Sequence, residues 1–219
     1  MDLLSIASGS SGNCYYVGSE ETHLLVDAGV SGKKIESALN EIDRKPSDLN
    51  GILVTHEHID HVKGLGVMAR KHGIPIYTTG GTISEIKKMS SVGTIDDSLF
   101  HEIEPDEPFF INDLSIDASA IWHDAADPVC YSISDGKSKF SIATDMGNYD
   151  EYVVNKLKNS DIMVIEANHD IRMLQAGPYP YYLKQRILGN RGHLSNERSG
   201  QLIKALLNSH IKAILLGHL

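Results

Sequence analysis

Apolar residues in this chain fall in short runs broken by glycine, serine and aspartate, with a few longer stretches at helical spacing. The runs at 3–7, 14–17 and 24–27 read as successive strands divided by glycine and serine turns. Residues 31–42 then set Ile35, Leu39 and Ile42 on one face, which predicts an amphipathic helix. A short apolar strand follows at 52–55, a helix at 63–72 and another buried strand at 75–77. Alternating runs with turn residues between 99 and 121 predict antiparallel sheet. Val129–Ser134 and 139–144 are placed to pair as a hairpin across Asp135-Gly136. Residues 162–165 and 213–216 again read as buried strands. Ser195 is placed to cap a helix from 195 to 208 that turns Leu202, Ile203, Leu206 and Leu207 inward. Strand, helix and strand recur in two halves with no linker, repeat or low-complexity segment between them. The pattern predicts one α/β (α+β) domain over residues 1–219, with two sheets covered by helices.

A chain of 219 residues can bury a sizeable core without staples. Its two cysteines, Cys14 and Cys130, cannot build a disulfide framework or a zinc knuckle and read as reduced thiols. No apolar run approaches the roughly 20 residues that cross a bilayer. The start, Met1-Asp2-Leu3-Leu4-Ser5, lacks a basic segment followed by an apolar one, so the expectation is a cytoplasmic protein with no signal peptide and no membrane partner. The net charge of -9 argues against nonspecific nucleic-acid binding. That sum changes locally if the chain holds two divalent cations, which add about four positive charges. Histidine is abundant, with eleven residues, of which His23, His72, His101 and His210 belong to no motif.

The chemistry is concentrated where the strand at 52–55 ends, in Thr55-His56-Glu57-His58-Ile59-Asp60-His61. Alternate residues His56 and His58 can point to one side of such a loop. Asp60 and His61 can then turn toward a second centre about 4 Å away, as two-metal hydrolases require. A single tetrahedral site needs only three or four protein ligands, so the surplus points to two. At this chain's composition His-x-His-x-Asp-His arises by chance in roughly two of a thousand sequences of its length. The competing reading is a polar surface turn. Downstream, isolated ligand-type residues also follow apolar runs: His123 in Trp122-His123-Asp124, Asp145 in Thr144-Asp145-Met146-Gly147, and His218 after Gly217.

These motifs resemble the YycJ (WalJ) branch of the metallo-β-lactamase fold, which is similar to tRNase Z and RNase J. The resemblance runs along the whole chain through Ser8-Gly9-Ser10-Ser11-Gly12-Asn13, Leu25-Val26-Asp27-Ala28-Gly29, the histidine motif with Lys63-Gly64, and Gly192-His193-Leu194-Ser195-Asn196. It implies a four-layer αββα sandwich and phosphodiester hydrolysis, in bacterial relatives by DNA exonucleases that are often manganese-dependent. Carried over residue by residue, it implies His56, His58 and His123 around one metal. Asp60, His61 and His218 surround the other, Asp145 bridges both, and Glu166 and His193 form a Glu-His pair. It also implies a C-terminal tail beyond Leu219.

On this reading two divalent cations, zinc or manganese, generate a hydroxide and neutralise the phosphate. Asp60 orients that hydroxide and takes its proton. His193 stabilises developing charge or protonates the leaving oxygen, while Glu166 fixes its tautomer. Asp27 orients a ligand histidine rather than binding metal. The glycine-rich turn at 8–13 has no following helix and is no Walker loop, but its amides, with Ser10, Ser11 and Asn13, can approach a phosphate. A plain tight turn is the alternative. Asn168, Lys184, Arg186 and Arg191 complete the expected substrate contacts, in a stretch where Tyr179, Tyr181 and Tyr182 alternate with basic groups as a nucleic-acid strand requires. The alternative there is a proline-rich segment whose tyrosines cover core. Three functions follow: a nuclease acting on nucleic acid, DNA by the resemblance; a hydrolase of small phosphodiesters, lactones or thioesters; and a non-catalytic metal-binding accessory protein. The motifs leave monomer or homo-oligomer open.

Overall fold

In the computed structural model, which describes residues 1–207 and 210–218, two six-stranded sheets lie face to face with helices on their outer sides. The first sheet holds β1 (Asp2–Ala7), β2 (Cys14–Gly18), β3 (His23–Val26), β4 (Gly51–Leu53), β5 (Ile76–Thr78) and β6 (Phe100–Glu102), adjacent in that order. The first three strands form an antiparallel meander, and β3 to β6 run parallel. On its outer side lie α1 (Gly32–Glu41), α3 (Leu65–His72) and α4 (Gly80–Lys88), with the single turn α2 (Ile59–Val62) inside the histidine motif. The second sheet holds β7 (Phe109–Ile111), β8 (Leu114–Ala120), β9 (Val129–Ser134), β10 (Lys139–Ala143), β11 (Ile162–Glu166) and β12 (Ala213–Gly217). It is antiparallel from β7 to β10 and parallel from β10 to β12. Its helices are α5 (Glu151–Leu157), α6 (Ile171–Ala176), α7 (Tyr181–Leu188) and α8 (Asn196–Leu206).

Side-chain alternation explains the layers. Along β2, Cys14 and Tyr16 join an outer core with Ile35 and Leu39 of α1 and Leu65 and Met68 of α3. Tyr15 and Val17 point the other way, against Ile116, Tyr131 and Ile142 of the opposite sheet. Both faces of these strands are buried, so they read as continuous apolar runs rather than alternating ones. A third core packs Cys130, Met163 and Ile165 of the second sheet against Val153, Leu157, Leu202 and Leu206 of α5 and α8. Three cores between four layers are the expected αββα sandwich.

Four local expectations change. The segment 99–121 is not one antiparallel unit: β6 pairs parallel with β5, and the chain then crosses to the second sheet at β7. The helix expected at 63–72 starts two residues later, as α3, and a separate turn, α2, which the sequence reading did not expect, precedes it within the histidine motif. Helices α4, α5, α6 and α7 have no counterpart in the sequence reading; α4 opens on Gly80-Gly81 and buries only Thr82 and Ile86, and α7 buries no residue fully, so the apolar signal of each is short. Helix α8 ends at Leu206, and Leu207, its C-cap, is exposed rather than packed inward; the expected end at Asn208 lies outside the described residues.

One inter-sheet contact sets the root of the histidine loop. The Tyr131 hydroxyl, in the core between the sheets, donates to Val54 O at 2.9 Å. Thr78 Oγ1 donates to the same carbonyl at 2.8 Å. Tyr131→Phe therefore leaves that carbonyl satisfied, and should cost about 1 kcal/mol in urea unfolding, the net value of a single hydrogen bond. A loss several times larger would mean that the hydroxyl positions more than this carbonyl.

Candidate metal centre

Ligand-type residues collect at one edge of the sandwich because the strands that precede them end there. Asp27 follows β3, His56 to His61 follow β4, and His123 follows β8. Asp145 follows β10, Glu166 is the last residue of β11, and His218 follows β12. In open α/β sheets the crevice at the carboxyl ends of parallel strands is where ligands bind. Asp27, Asp145 and His218 all adopt left-handed backbone, with φ of 61°, 59° and 55°. Such conformations, sparse for residues other than glycine, cluster at functional sites.

All seven expected ligands converge. His56 Nε2 and His123 Nε2 lie 3.1 and 3.2 Å from His58 Nδ1, so three imidazoles face one point. Asp145 Oδ2 is 3.3 Å from His61 Nε2, and Asp145 Oδ1 is 3.2 Å from His218 Nδ1. Asp60 Oδ2 lies 3.7 Å from His61 Nε2 and 3.9 Å from His218 Nε2. Asp145 Oδ1 also reaches to 4.0 Å from His123 Nε2, so this carboxylate stands between the two groups. Five imidazoles and two carboxylates are a donor set suited to divalent cations. Asp145 Oδ2 and His218 Nε2 are buried without a hydrogen-bond partner, as atoms directed at a cation would be. The geometry thus fits divalent metal use.

The electrostatics divide the rings into two kinds. Burial, reinforced by neighbouring imidazoles, holds His56 well below the usual histidine range and brings His123 to about 4. Both rings are neutral, the form that ligates. Burial also opposes charge on His61, but Asp145 and Asp27 outweigh it and hold His61 well above its ordinary value. Burial likewise raises Asp145, yet His61, His218 and His56 outweigh it and keep the carboxylate ionised.

A shell of neutral and acidic groups fixes these ligands. Asp27, fully buried, accepts the Thr55 N–H at 2.8 Å and lies 2.7 Å from His61 Nδ1, leaving Nε2 to face the centre. The Asn13 N–H donates to Asp60 O at 2.7 Å and the Ala28 N–H to His61 O at 2.8 Å, clamping the loop onto the first strands. Gly29 is required here: a Cβ on it would sit 1.7 Å from Asp60 O. Glu57, to which the sequence reading assigns no role, accepts the Ala126 N–H at 2.8 Å and ties the motif to the loop after His123. Asp27→Asn keeps the size and the tolerance for left-handed backbone but presents an N–H to His61 Nδ1. Divalent-metal affinity should fall about 10- to 100-fold, the usual effect of losing a partner that orients a ligand. Competition with a chromogenic chelator measures it, and an unchanged affinity would remove Asp27 from this role.

Glu166 and His193 form a pair beside the ligands. His193 Nδ1 donates to Glu166 Oε1 at 2.7 Å. The same carboxylate receives His218 Nδ1 at 3.0 Å and the Met146 N–H at 2.7 Å. Burial would raise Glu166, but hydrogen bonds from His193 and His218 outweigh it and keep it ionised. Glu166 therefore orients two imidazoles, not His193 alone. Gly147 lets the His193 loop press against the Asp145 turn, since a Cβ there would lie 2.4 Å from Asn190 C and Gly192 N.

The expected substrate contacts divide. Ser10, Asn168 and Arg186 line a cavity of about 440 Å³ that opens over His58, Asp60, Asp145, His193 and His218. Ser11 and Arg191 are exposed near its rim in sequence but are not among its lining residues. Asn13 is a correction: it is fully buried, accepts the Gly9 N–H at 2.9 Å and packs 3.0 Å from His61 Nε2. It holds the 8–13 turn against a ligand and has no surface to offer a phosphate. Lys184 Nζ donates to Gln175 O at 2.7 Å, fastening α7 to α6. Arg186 is ion-paired with Asp124. Tyr179, Tyr181 and Tyr182 are exposed and cover no core, contrary to the alternative reading of that stretch. His169, to which the sequence reading assigns no role, also lines the cavity. It follows Asn168 with no apolar run of its own to mark it.

The model of the family described as beta-lactamase superfamily domain matches residues 22–218. The chain is 42% identical over 214 residues to the exodeoxyribonuclease WalJ of Streptococcus pneumoniae serotype 2, covering 98% of this chain and 80% of that protein. It is 37% identical over the same length to the exodeoxyribonuclease YycJ of Bacillus anthracis, again covering 98% and 80%. Its fold is similar to that of the short form of human tRNase Z, with a TM-score of 0.73, 17% identity, and coverage of 100% of this chain and 92% of the other.

Proposed function

We propose, from the premise that the chain belongs to the beta-lactamase superfamily, that it is a two-metal nuclease degrading DNA from an end. The observation that carries this is the convergence of ligand-type side chains into adjoining groups: His56, His58 and His123; His56, His61 and Asp145; and Asp145, Glu166, His193 and His218. Asp60 lies 3.7 Å from His61, and Glu166 and His193 are paired at 2.7 Å, a pair we assign to proton transfer rather than to the ligand set. The two relatives named exodeoxyribonucleases support DNA as the strand cut. His56, His58 and His123 would hold one cation, and Asp60, His61 and His218 the other, with Asp145 between them. When bound, zinc or manganese supplies charge for the phosphate oxygens and lowers the pKa of water toward neutrality. Asp60, partly open to the cavity, accepts a proton from the attacking water. His193, its Nδ1 held by ionised Glu166, can carry a second proton and deliver it from Nε2 to the leaving oxygen. Exposed Tyr179, which lines the cavity, offers a ring on which a base stacks. Among the described residues no helix is long and apolar enough to cross a membrane. Cys14 and Cys130, both buried free thiols, support a cytoplasmic setting.

The test restores zinc or manganese to chelator-treated protein and presents end-labelled single- and double-stranded DNA, RNA of the same sequence and bis(p-nitrophenyl) phosphate. The expected result is stepwise loss of nucleotides from DNA. Cleavage of the chromogenic diester with all strands intact would replace this reading by a small-substrate hydrolase. Metal uptake without any turnover would replace it by an accessory role.

A further inference from the structure

A second cavity of about 390 Å³ shares His169 and His193 with the metal pocket. We propose that it binds the phosphate next to the scissile one on the same strand, an inference that rests on the nuclease reading. Its remaining polar walls are Asn148, Asn190, Ser195 and Arg198. No carboxylate lines it, whereas Asp60 and Asp145 line the neighbouring pocket. The two halves of the groove therefore differ in kind: one is built for cations, the other for an anion.

Arg198 is the main observation. Its guanidinium stacks on the Tyr149 ring, 4.6 Å from the centroid, and donates to Asn148 Oδ1 at 2.6 Å and Gln201 Oε1 at 3.5 Å. These partners are neutral, and among the described residues no carboxylate lies within 4 Å of it, so its charge is held in place but not cancelled. Stacking and the Asn148 bond fix the planar group beforehand, which lowers the cost of ordering it on a ligand. Arg198 also occupies the first turn of α8, whose N-cap is Ser195. A helix start favours negative charge, so a cation there stands against the dipole until an anion arrives. Glu197 shares that turn but is exposed and is not a lining residue of the cavity. A second, independent polar atom awaits a partner: His169 Nε2 is buried and makes no hydrogen bond. Its Nδ1 is engaged with Asn168 Oδ1 at 3.2 Å, so Nε2 is the ring nitrogen left without a partner; burial holds the ring below the usual histidine range, and a bound phosphate would favour the protonated form that donates to it. Because His193 lines both cavities, a strand with its scissile phosphate at His193 has its neighbouring phosphate here.

The experiment measures binding of a fluorescein-labelled single-stranded oligonucleotide by anisotropy across salt concentrations, and cleavage of end-labelled DNA, for the metal-loaded wild type, Arg198→Ala and Asn148→Asp. Arg198→Ala should weaken strand binding about tenfold or more, as losing a hydrogen bond from a charged group does. It should also make the dependence of log affinity on log salt shallower by about 0.7, one single-strand phosphate contact. Asn148→Asp keeps the stack on Tyr149 and cancels the charge, and should reproduce the loss of affinity. The ratio of kcat/KM for the strand to that for bis(p-nitrophenyl) phosphate should fall in both. Variants that match the wild type in affinity and salt slope would overturn the proposal while leaving the nuclease reading intact. So would a loss of affinity with an unchanged slope, which marks a packing role for Arg198. A wild type that neither binds nor cuts DNA would instead sink the nuclease reading, and this pocket's assignment with it.

Discussion

Asp145→Ala is expected to abolish hydrolysis and to lower metal content below two ions per chain. Its carboxylate faces His61, His218, His193 and, at 4.0 Å, His123, so it is an acidic side chain that reaches both groups of ligands. It is also a buried anion among imidazoles, and its loss removes the charge that holds cations against those rings. The drop in rate should exceed the roughly hundred- to ten-thousand-fold lost with a proton-transfer group, because substrate charge is no longer neutralised either. The fold should persist: Asp145 ends a strand and its Oδ2 makes no hydrogen bond. Asp145→Asn, which removes charge but not volume, should fail in the same way. Elemental analysis with circular dichroism tests both at once. Two tightly held metals and normal turnover in the alanine variant would remove Asp145 from the centre.

His193→Ala separates chemistry from metal binding. His193 is half-buried, lies outside the seven ligands and contacts Glu166 directly. The variant should keep its metals and lose about a hundred- to ten-thousand-fold in kcat. Glu166→Gln tests the other half of the pair. Considered from His193 alone, it should lose less, because it only orients the ring. Its second contact, to His218 Nδ1, changes the expectation: it should also loosen one metal. The two variants should therefore differ in kind, one metal-replete with low kcat, the other partly rescued by added metal. Loss of metal in His193→Ala would make His193 a ligand, and full activity would make it a bystander.

The parts of the site that were legible in the sequence are those with local signals. The histidine motif follows a short apolar strand, and His123, Asp145 and His218 each follow another, so strand ends predicted where the ligands would meet. What was hidden depends on contacts far along the chain. The move from β6 to β7 looks locally like any strand and turn, because only pairing partners say which sheet a strand joins. Helix α6 spans six residues and buries only Leu174, and α7 buries no residue fully, so each carries only a short apolar signal. Asn13 has the residue type of a phosphate contact, yet the 8–13 turn folds its amide inward to Gly9 and His61, 48 residues away. Lys184 and Arg186 were legible as basic residues, but their partners Gln175 and Asp124 were not. Glu166 was legible as an orienting acid, while its second imidazole became visible only when β12 was placed beside β11.

The left-handed backbone at Asp27, Asp145 and His218 bears on how this protein responds to selection. At Asp145 and His218 glycine would relieve local conformational cost, and a screen that rewards only heat tolerance would favour it, whereas at Asp27 it would strand the buried Thr55 N–H and His61 Nδ1 without a partner. Each such change deletes a metal-site side chain. A library ranked by thermal survival should thus enrich glycine at Asp145 and His218, but not at Asp27, among folded but inactive clones, and a library ranked by activity should exclude it at all three. Positive φ at other turn residues, such as Asp43 and Asn159, carries no such conflict, and glycine there is open to both kinds of selection.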